Sequence, residues 1–167
     1  MKFIVTGGCG FIGSALIKYL IKNNKNEILN IDCLTNASMP ESLDEIKESK
    51  QYHFKKLNIC NFNEVYQTIN EFNPDSIIHL AAESHVDNSI LSPANFINSN
   101  IVGTYSLLEA TKKYYIKYNK NNKFIFLHVS TDEVYGSINN DKDSFTEESP
   151  YKPNSPYSAS KASSDHF

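Results

Sequence analysis

The chain has 167 residues, enough for one domain, and a domain of that length buries roughly 70% of the surface its unfolded chain exposes. Net charge is −3 with a pI near 5.9, and the lysines are scattered, so neither nucleic acid nor a membrane surface is an expected partner. Three cysteines, Cys9, Cys33 and Cys60, stand far apart without C-x-x-C spacing, which argues against a disulfide framework and a zinc site; no metal is expected.

The first apolar run, from Met1 to Gly7, is too short for a signal sequence. Nothing later approaches the ~20 apolar residues of a membrane helix, so a cytoplasmic, soluble protein is expected. Residues 3–6, 28–31, 52–57, 76–80 and 124–130 read as strands. Phe11, Ile12, Ala15, Leu16, Tyr19 and Leu20 recur with helical spacing after the first strand, and Val65, Ile69 and Phe72 do so after Asn61. The longest helix is expected to start with Ser92 as cap and Pro93 as first residue. It would turn Phe96, Ile97, Ile101, Thr104, Tyr105 and Leu108 inward and fray near Tyr118. Residues 119–122 read as a polar turn and 136–154 as a surface loop, and Ser155-Pro156 opens a last helix. Strand and helix alternating in this way predict an α/β fold, a Rossmann-type doubly wound parallel sheet with helices on both faces.

Gly7, Gly10 and Gly13 follow the first strand and open the first helix. The first glycine allows a tight turn, the second lets backbone approach a pyrophosphate, and the third lets helix and strand pack. Asp32 ends the second strand, where a carboxylate bonds adenosine ribose hydroxyls and repels a 2′-phosphate, so NAD is favoured over NADP. The plainer reading is a glycine turn with an ordinary exposed Asp. Leu80, Ala81, Ala82, Glu83, Ser84 and His85 follow the fourth strand, at the sheet edge where such folds bind ligands. The small alanines would let a cofactor lie against the backbone and Ser84 could reach a substrate. His85 is as readily a hydrogen-bonded loop histidine as a catalytic one.

Tyr157 and Lys161 lie at i and i+4 on one helix face. An ammonium and a nicotinamide cation would both favour the phenolate, making Tyr157 a usable base. Thr131, Asp132 and Glu133 add a hydroxyl and two carboxylates, a set able to move protons; the alternative is a solvated acidic pair capping a short turn.

With the glycine loop, these residues resemble the extended short-chain dehydrogenase/reductases. More narrowly, Leu80-Ala-Ala-Glu-Ser-His-Val-Asp87, Asn100-Ile-Val-Gly-Thr-Tyr105, Ser130-Thr-Asp-Glu-Val-Tyr-Gly136 and Ser155-Pro-Tyr-Ser-Ala-Ser-Lys-Ala162 are similar to the dTDP-glucose 4,6-dehydratases. That resemblance implies oxidation of a sugar nucleotide at C4, loss of water across C5 and C6, and reduction at C6. Tyr157 would take the C4 hydroxyl proton with Thr131 bonding that oxygen, Glu133 would remove the C5 proton, and Asp132 would protonate the leaving C6 hydroxyl. Burial and mutual repulsion would keep one carboxyl of that pair protonated. It further implies NAD contacts from Phe11, Ile12, Asp32, Cys33, Leu34, Thr35, Asn58, Ile59, Leu80, Ala81, Ala82, Glu83, Ser84, Ser99, Tyr157 and Lys161.

The chain departs from the family at several positions. Asn58 replaces an Asp near the adenine amine, and Cys33, Asn36 and Ser38 replace a lysine, an aromatic and a glycine. The family's chains run well beyond this length, so 1–167 is expected to be the NAD-binding part without the C-terminal sugar-nucleotide lobe, ending at Phe167 inside the catalytic helix and inactive alone. The family also implies a homodimer, built on the long and catalytic helices of each protomer. The nucleotide base stays open between dTDP and UDP. The rivals are a nucleotide-sugar 4-epimerase, which has no use for Asp132 and Glu133, a GDP-mannose dehydratase, which typically carries Ser in mid-triplet, and a non-catalytic dinucleotide-binding module.

Overall fold

A computed structural model describes residues 1–23, 25–118, 123–138 and 144–167. Five strands form one sheet: β1 (Lys2–Thr6), β2 (Glu27–Asp32), β3 (Tyr52–Lys56), β4 (Ser76–His79) and β5 (Ile125–His128), in the order β3-β2-β1-β4-β5. All four pairings are parallel. The chain therefore crosses over through α1 (Phe11–Ile21), α2 (Phe62–Phe72) and α5 (Thr104–Lys117). Strand residues alternate between two cores, as the pleat requires. Ile4, Leu29, Ile31 and Ile77 join Val65 and Ile69 of α2 and Leu107, Ala110 and Tyr114 of α5. Val5, Ile28 and Ile78 join Cys9, Ile17 of α1 and Leu43. The doubly wound sheet expected from the alternation is the one observed.

Two compact units are present, 1–81 with 106–129, and 82–105 with 130–167. The sheet and both cores belong to the first. The second holds α3 (Val86–Leu91), α4 (Pro93–Phe96), a π-helical stretch (Ile97–Gly103), a 3₁₀ turn (Asp132–Tyr135) and α6 (Pro156–Asp165). In that unit α6 packs against α3, α4, the π stretch and the 3₁₀ turn.

Local signals explain the ends. Asn61 accepts from the Glu64 amide as the α2 cap, and Asn73 closes the helix in the left-handed region. Ser155 and Ser158 form a reciprocal capping box that starts α6 with Pro156 in its first turn. Strand five is shorter than expected because pairing stops soon after Val129 donates to the His79 carbonyl. The long helix starts at Pro93 as expected, although Ser92 makes no side-chain cap bond. Its buried stripe is also not the expected one. Phe96 and Thr104 turn inward, but Ile97 and Tyr105 are 50% and 53% exposed, and Ile101 and Leu108 only half-buried. Asn100, Gly103, Leu107 and Ala110 are buried instead, because small residues allow close approach and the Asn100 amide finds partners. Helix α6 closes at Asp165, so Phe167 lies past it rather than inside. The polar turn expected at 119–122 and part of the 136–154 loop, 139–143, lie outside the described residues; the rest of that loop has no helix or strand after the 3₁₀ turn. Among the described residues no helix is long and apolar enough to cross a membrane.

Tyr114 is fully buried, and its hydroxyl donates to Asn73 Oδ1 at 2.6 Å and Pro74 O at 3.1 Å, pinning α5 to the end of α2. Replacing Tyr114 by Phe should lower the unfolding free energy by about 1 to 2 kcal/mol, read from urea denaturation. An unchanged midpoint would show that these bonds contribute nothing net.

Candidate active site

In the first unit the glycine loop is shaped by close backbone approach. Gly7 has φ +72°, and a Cβ there would sit 2.6 Å from the Ala81 nitrogen; one on Gly13 would meet the Gly7 carbonyl oxygen. Gly10 is the α1 cap residue, so no side chain bonds that helix's first turn. Phe11 and Ile12 within it are 83% and 62% exposed. The arrangement leaves amide donors and the positive helix end open to an anion.

Asp32 is not an ordinary exposed carboxylate, being only 6% exposed. Oδ2 accepts from the Cys9 amide at 2.9 Å, and Oδ1 accepts from the Leu34 amide at 2.8 Å and the Ser38 hydroxyl at 2.9 Å. Burial and the nearby Asp32 carboxylate push the Cys9 thiol up to about 11. Leu34 adopts φ +59° to make its bond and is half-buried, while Cys33 and Thr35 beside it are exposed. Asn58 is exposed, with Oδ1 taking the Cys60 amide at 2.9 Å. Ile59 departs from expectation: its side chain is buried in the core, so only backbone could meet a cofactor. Leu80 and Ala81 are half-buried, and the Ala81 amide donates to Thr6 Oγ1 at 3.3 Å.

In the second unit Ala82, Ser84 and His85 are exposed, while Glu83 and Ser99 are half-buried. The His85 side chain does not cap α3, although its carbonyl accepts from Ser89 at 3.1 Å. Asn100, for which the sequence suggested no role, holds this segment. Its Oδ1 accepts from the Glu83 amide at 2.8 Å, and its Nδ2 donates to the Glu83 carbonyl and to Ser160 Oγ, both at 2.9 Å. The available signal was spacing, since Asn100 stands four residues after Phe96 and four before Thr104, both expected to turn inward.

Thr131 caps the 3₁₀ turn, accepting from the Glu133 amide at 3.3 Å, and its hydroxyl lies 3.5 Å from Asp132 Oδ1. Gly136, at φ +102°, ends the turn where the Lys152 carbonyl approaches, and Lys152 donates to Val134 O at 2.9 Å. Asp132 is exposed and Glu133 half-buried, so burial falls unequally on the pair. Thr131 also lies close enough to the Tyr157 phenol to favour its ionised form. The Tyr157 ring meets Phe96 edge-on, with centroids 6.3 Å apart. Burial pushes the phenol above its usual range, Thr131 pulls it back, and the Glu133 and Asp132 carboxylates push it up further. The net direction is opposite to that expected from Lys161 alone.

Lys161 is 4% exposed; burial lowers its pKa, and the Asp165 carboxylate one turn on opposes this. Thr131, Asp132, Glu133 and Tyr157 are thus brought together, and Lys161 stands one turn along the same helix. Among the described residues no cluster of His, Cys, Asp and Glu could hold a metal ion.

Comparison with known proteins gives concordant results. The dTDP-glucose 4,6-dehydratase of Salmonella typhimurium is 50% identical, over all of this chain and 49% of its own length. A crystal structure of a dTDP-glucose 4,6-dehydratase from Streptomyces venezuelae with NAD bound superposes with a TM-score of 0.87 at 38% identity, covering 99% of this chain and 50% of that one. A UDP-glucose 4-epimerase from Thermus thermophilus in complex with NAD reaches 0.83 at 29% identity, covering 99% and 49%. The chain thus spans about half the length of the curated relatives it matches. The model of the family described as GDP-mannose 4,6 dehydratase matches residues 4–167, and the chain belongs to that family.

Proposed function

We propose that the chain carries the NAD-binding and acid-base residues of a dTDP-glucose 4,6-dehydratase, the relatives being about twice as long as the span they share with it. The observation that carries this reading is the convergence of Thr131, Asp132 and Glu133 on the Tyr157 phenol. The 50% identity to a dTDP-glucose enzyme supports dTDP over UDP.

The residues present fit NAD. A Cβ-intolerant glycine cradle opens on a helix end with no side-chain cap, and a buried carboxylate follows the second strand. Held by the glycine loop and Asp32, NAD would supply the hydride acceptor for C4 and the hydride donor for C6. Tyr157 takes the C4 hydroxyl proton while Thr131 bonds that oxygen. The C4 ketone makes the C5 proton acidic, and Glu133 removes it. Asp132, the more exposed carboxyl, protonates the departing C6 hydroxyl. Lys161 holds the nicotinamide ribose and, as a cation, favours the phenolate.

A nucleotide-sugar 4-epimerase is the second reading, favoured by structural neighbours of similar TM-score. Epimerisation has no step at C5 or C6, so it gives Asp132 and Glu133 nothing to do. A homodimer is supported by the exposed apolar residues Ile97, Val102 and Tyr105 on the long helix and Phe167 just after α6. A cytoplasmic setting fits Cys9, Cys33 and Cys60 standing as reduced thiols.

Three outcomes test the reading. In a version extended to the length of the relatives, Glu133→Gln should still reduce NAD transiently yet release little 4-keto-6-deoxy sugar; normal turnover would refute the base assignment. Removing that charge also takes away one cause of the raised Tyr157 pKa. Because C4 oxidation needs the phenolate, the rise of hydride transfer with pH should move to lower pH in Glu133→Gln, as followed by stopped-flow NADH absorbance; an unmoved profile would place Glu133 away from Tyr157. By calorimetry, wild type should bind NAD in preference to NADP and Asp32→Ala should lose that preference. Equal, unchanged affinities would sink the adenosine assignment.

A further inference from the structure

A carboxylate offers about four lone-pair positions. On Asp32 the protein's own donors fill three of them: the Cys9 amide, the Leu34 amide and the Ser38 hydroxyl. The two amides are fixed by the backbone, one inside the glycine loop and one at a residue held in the left-handed region. A ribose presents two neighbouring hydroxyls as donors, so one of them finds no place on Asp32.

Ser38 can supply it. Its single hydrogen goes to Asp32 Oδ1 at 2.9 Å, which leaves lone pairs on its oxygen to accept. The residue is half-buried rather than sealed in the core. Its position is held on both sides, by the Ser38 amide on Thr35 O at 3.0 Å and the Met39 amide on Cys9 O at 2.8 Å. The hydroxyl is therefore already oriented by the carboxylate it would work beside.

We propose that Ser38 is a second reader of the adenosine ribose in this chain, Asp32 accepting from one hydroxyl of the diol and Ser38 Oγ from the other. The inference rests on the NAD reading above. Glycine is the residue expected at this position from the family resemblance, so the contact is a feature of this sequence rather than of the fold.

Calorimetric titration of the 167-residue chain with NAD tests it, using wild type, Ser38→Ala and Ser38→Thr. Loss of one such hydrogen bond should weaken NAD binding about five-fold in Ser38→Ala, while Ser38→Thr, which keeps the hydroxyl, should stay within about two-fold of wild type. With 2′-deoxy and 3′-deoxy NAD, the Ser38→Ala penalty should vanish for one analogue and persist for the other. Unchanged or tighter NAD binding by Ser38→Ala overturns the proposal, since a hydroxyl that merely occupied Asp32 would compete with the ribose. Should Ser38→Ala fail to fold, the wild type decides: each deoxy analogue must bind more weakly than NAD, and equal binding of either overturns the proposal. A wild type that binds no NAD sinks the cofactor reading and this inference together. A wild type that binds NAD beside an unaffected Ser38→Ala sinks only the inference.

Discussion

The cofactor half depends on one close approach, that of Gly7 to the backbone following β4. There is no room for a Cβ between them, and the contact is secured by Thr6, whose hydroxyl accepts from the Ala81 amide at 3.3 Å and bonds His79 Nδ1 at 2.7 Å. His79 is 1% exposed and stacked on His128, its register partner in β5. A buried polar ladder of this kind is expensive unless satisfied, so the bonds that close it also fix the ends of β1 and β4. Those ends set the direction in which α1 presents its amides. A substitution at Gly7 would therefore disturb the sheet edge and the anion site together.

Serine and asparagine organise the second unit where leucine would in an ordinary helix pair. Ser158, Ser160 and Ser164 on α6 are buried, as is Asn100 facing them. Each serine hydroxyl has a backbone acceptor in its own helix or cap, so little desolvation cost remains. Small side chains let the π-helical stretch come close, and the Asn100 amide ties it to both Ser160 and Glu83. Lys161, on the same helix as these serines, is buried to 4% exposure. Around the proposed acid-base residues, order in this unit comes from hydrogen bonds as well as from apolar packing.

Much of this was legible in the sequence, and the exceptions share a cause. Strand positions, the Asn61 and Ser155 caps and the glycine spacing follow from local rules that need only neighbours in the chain. The inward face of the long helix does not. Ile97, Ile101 and Tyr105 are the larger apolar residues, so periodicity selects them, whereas burial follows the small and amide-bearing neighbours that a partner element can approach. Asn100 was quoted within a motif and Ser38 only as a departure from the family, neither with a structural role, because their partners, Ser160 and Asp32, are settled by tertiary proximity. Ile59 was assigned to the cofactor by resemblance alone, and the core claimed its side chain.

The ionisation of Tyr157 and Lys161 shows why site chemistry is harder to read than site membership. Burial moves both groups toward their neutral forms, the phenol upward and the amine downward. Two carboxylates near the phenol strengthen that tendency against the pull of Thr131, whereas Asp165 opposes it at the amine. Left to the protein's own charges, the pair is therefore set against the phenolate that the proposed C4 oxidation would require. Under the proposed NAD reading a nicotinamide cation held near the phenol would oppose that balance by favouring the phenolate. The carboxylates proposed for the elimination, Glu133 and Asp132, are the same groups that favour the neutral phenol.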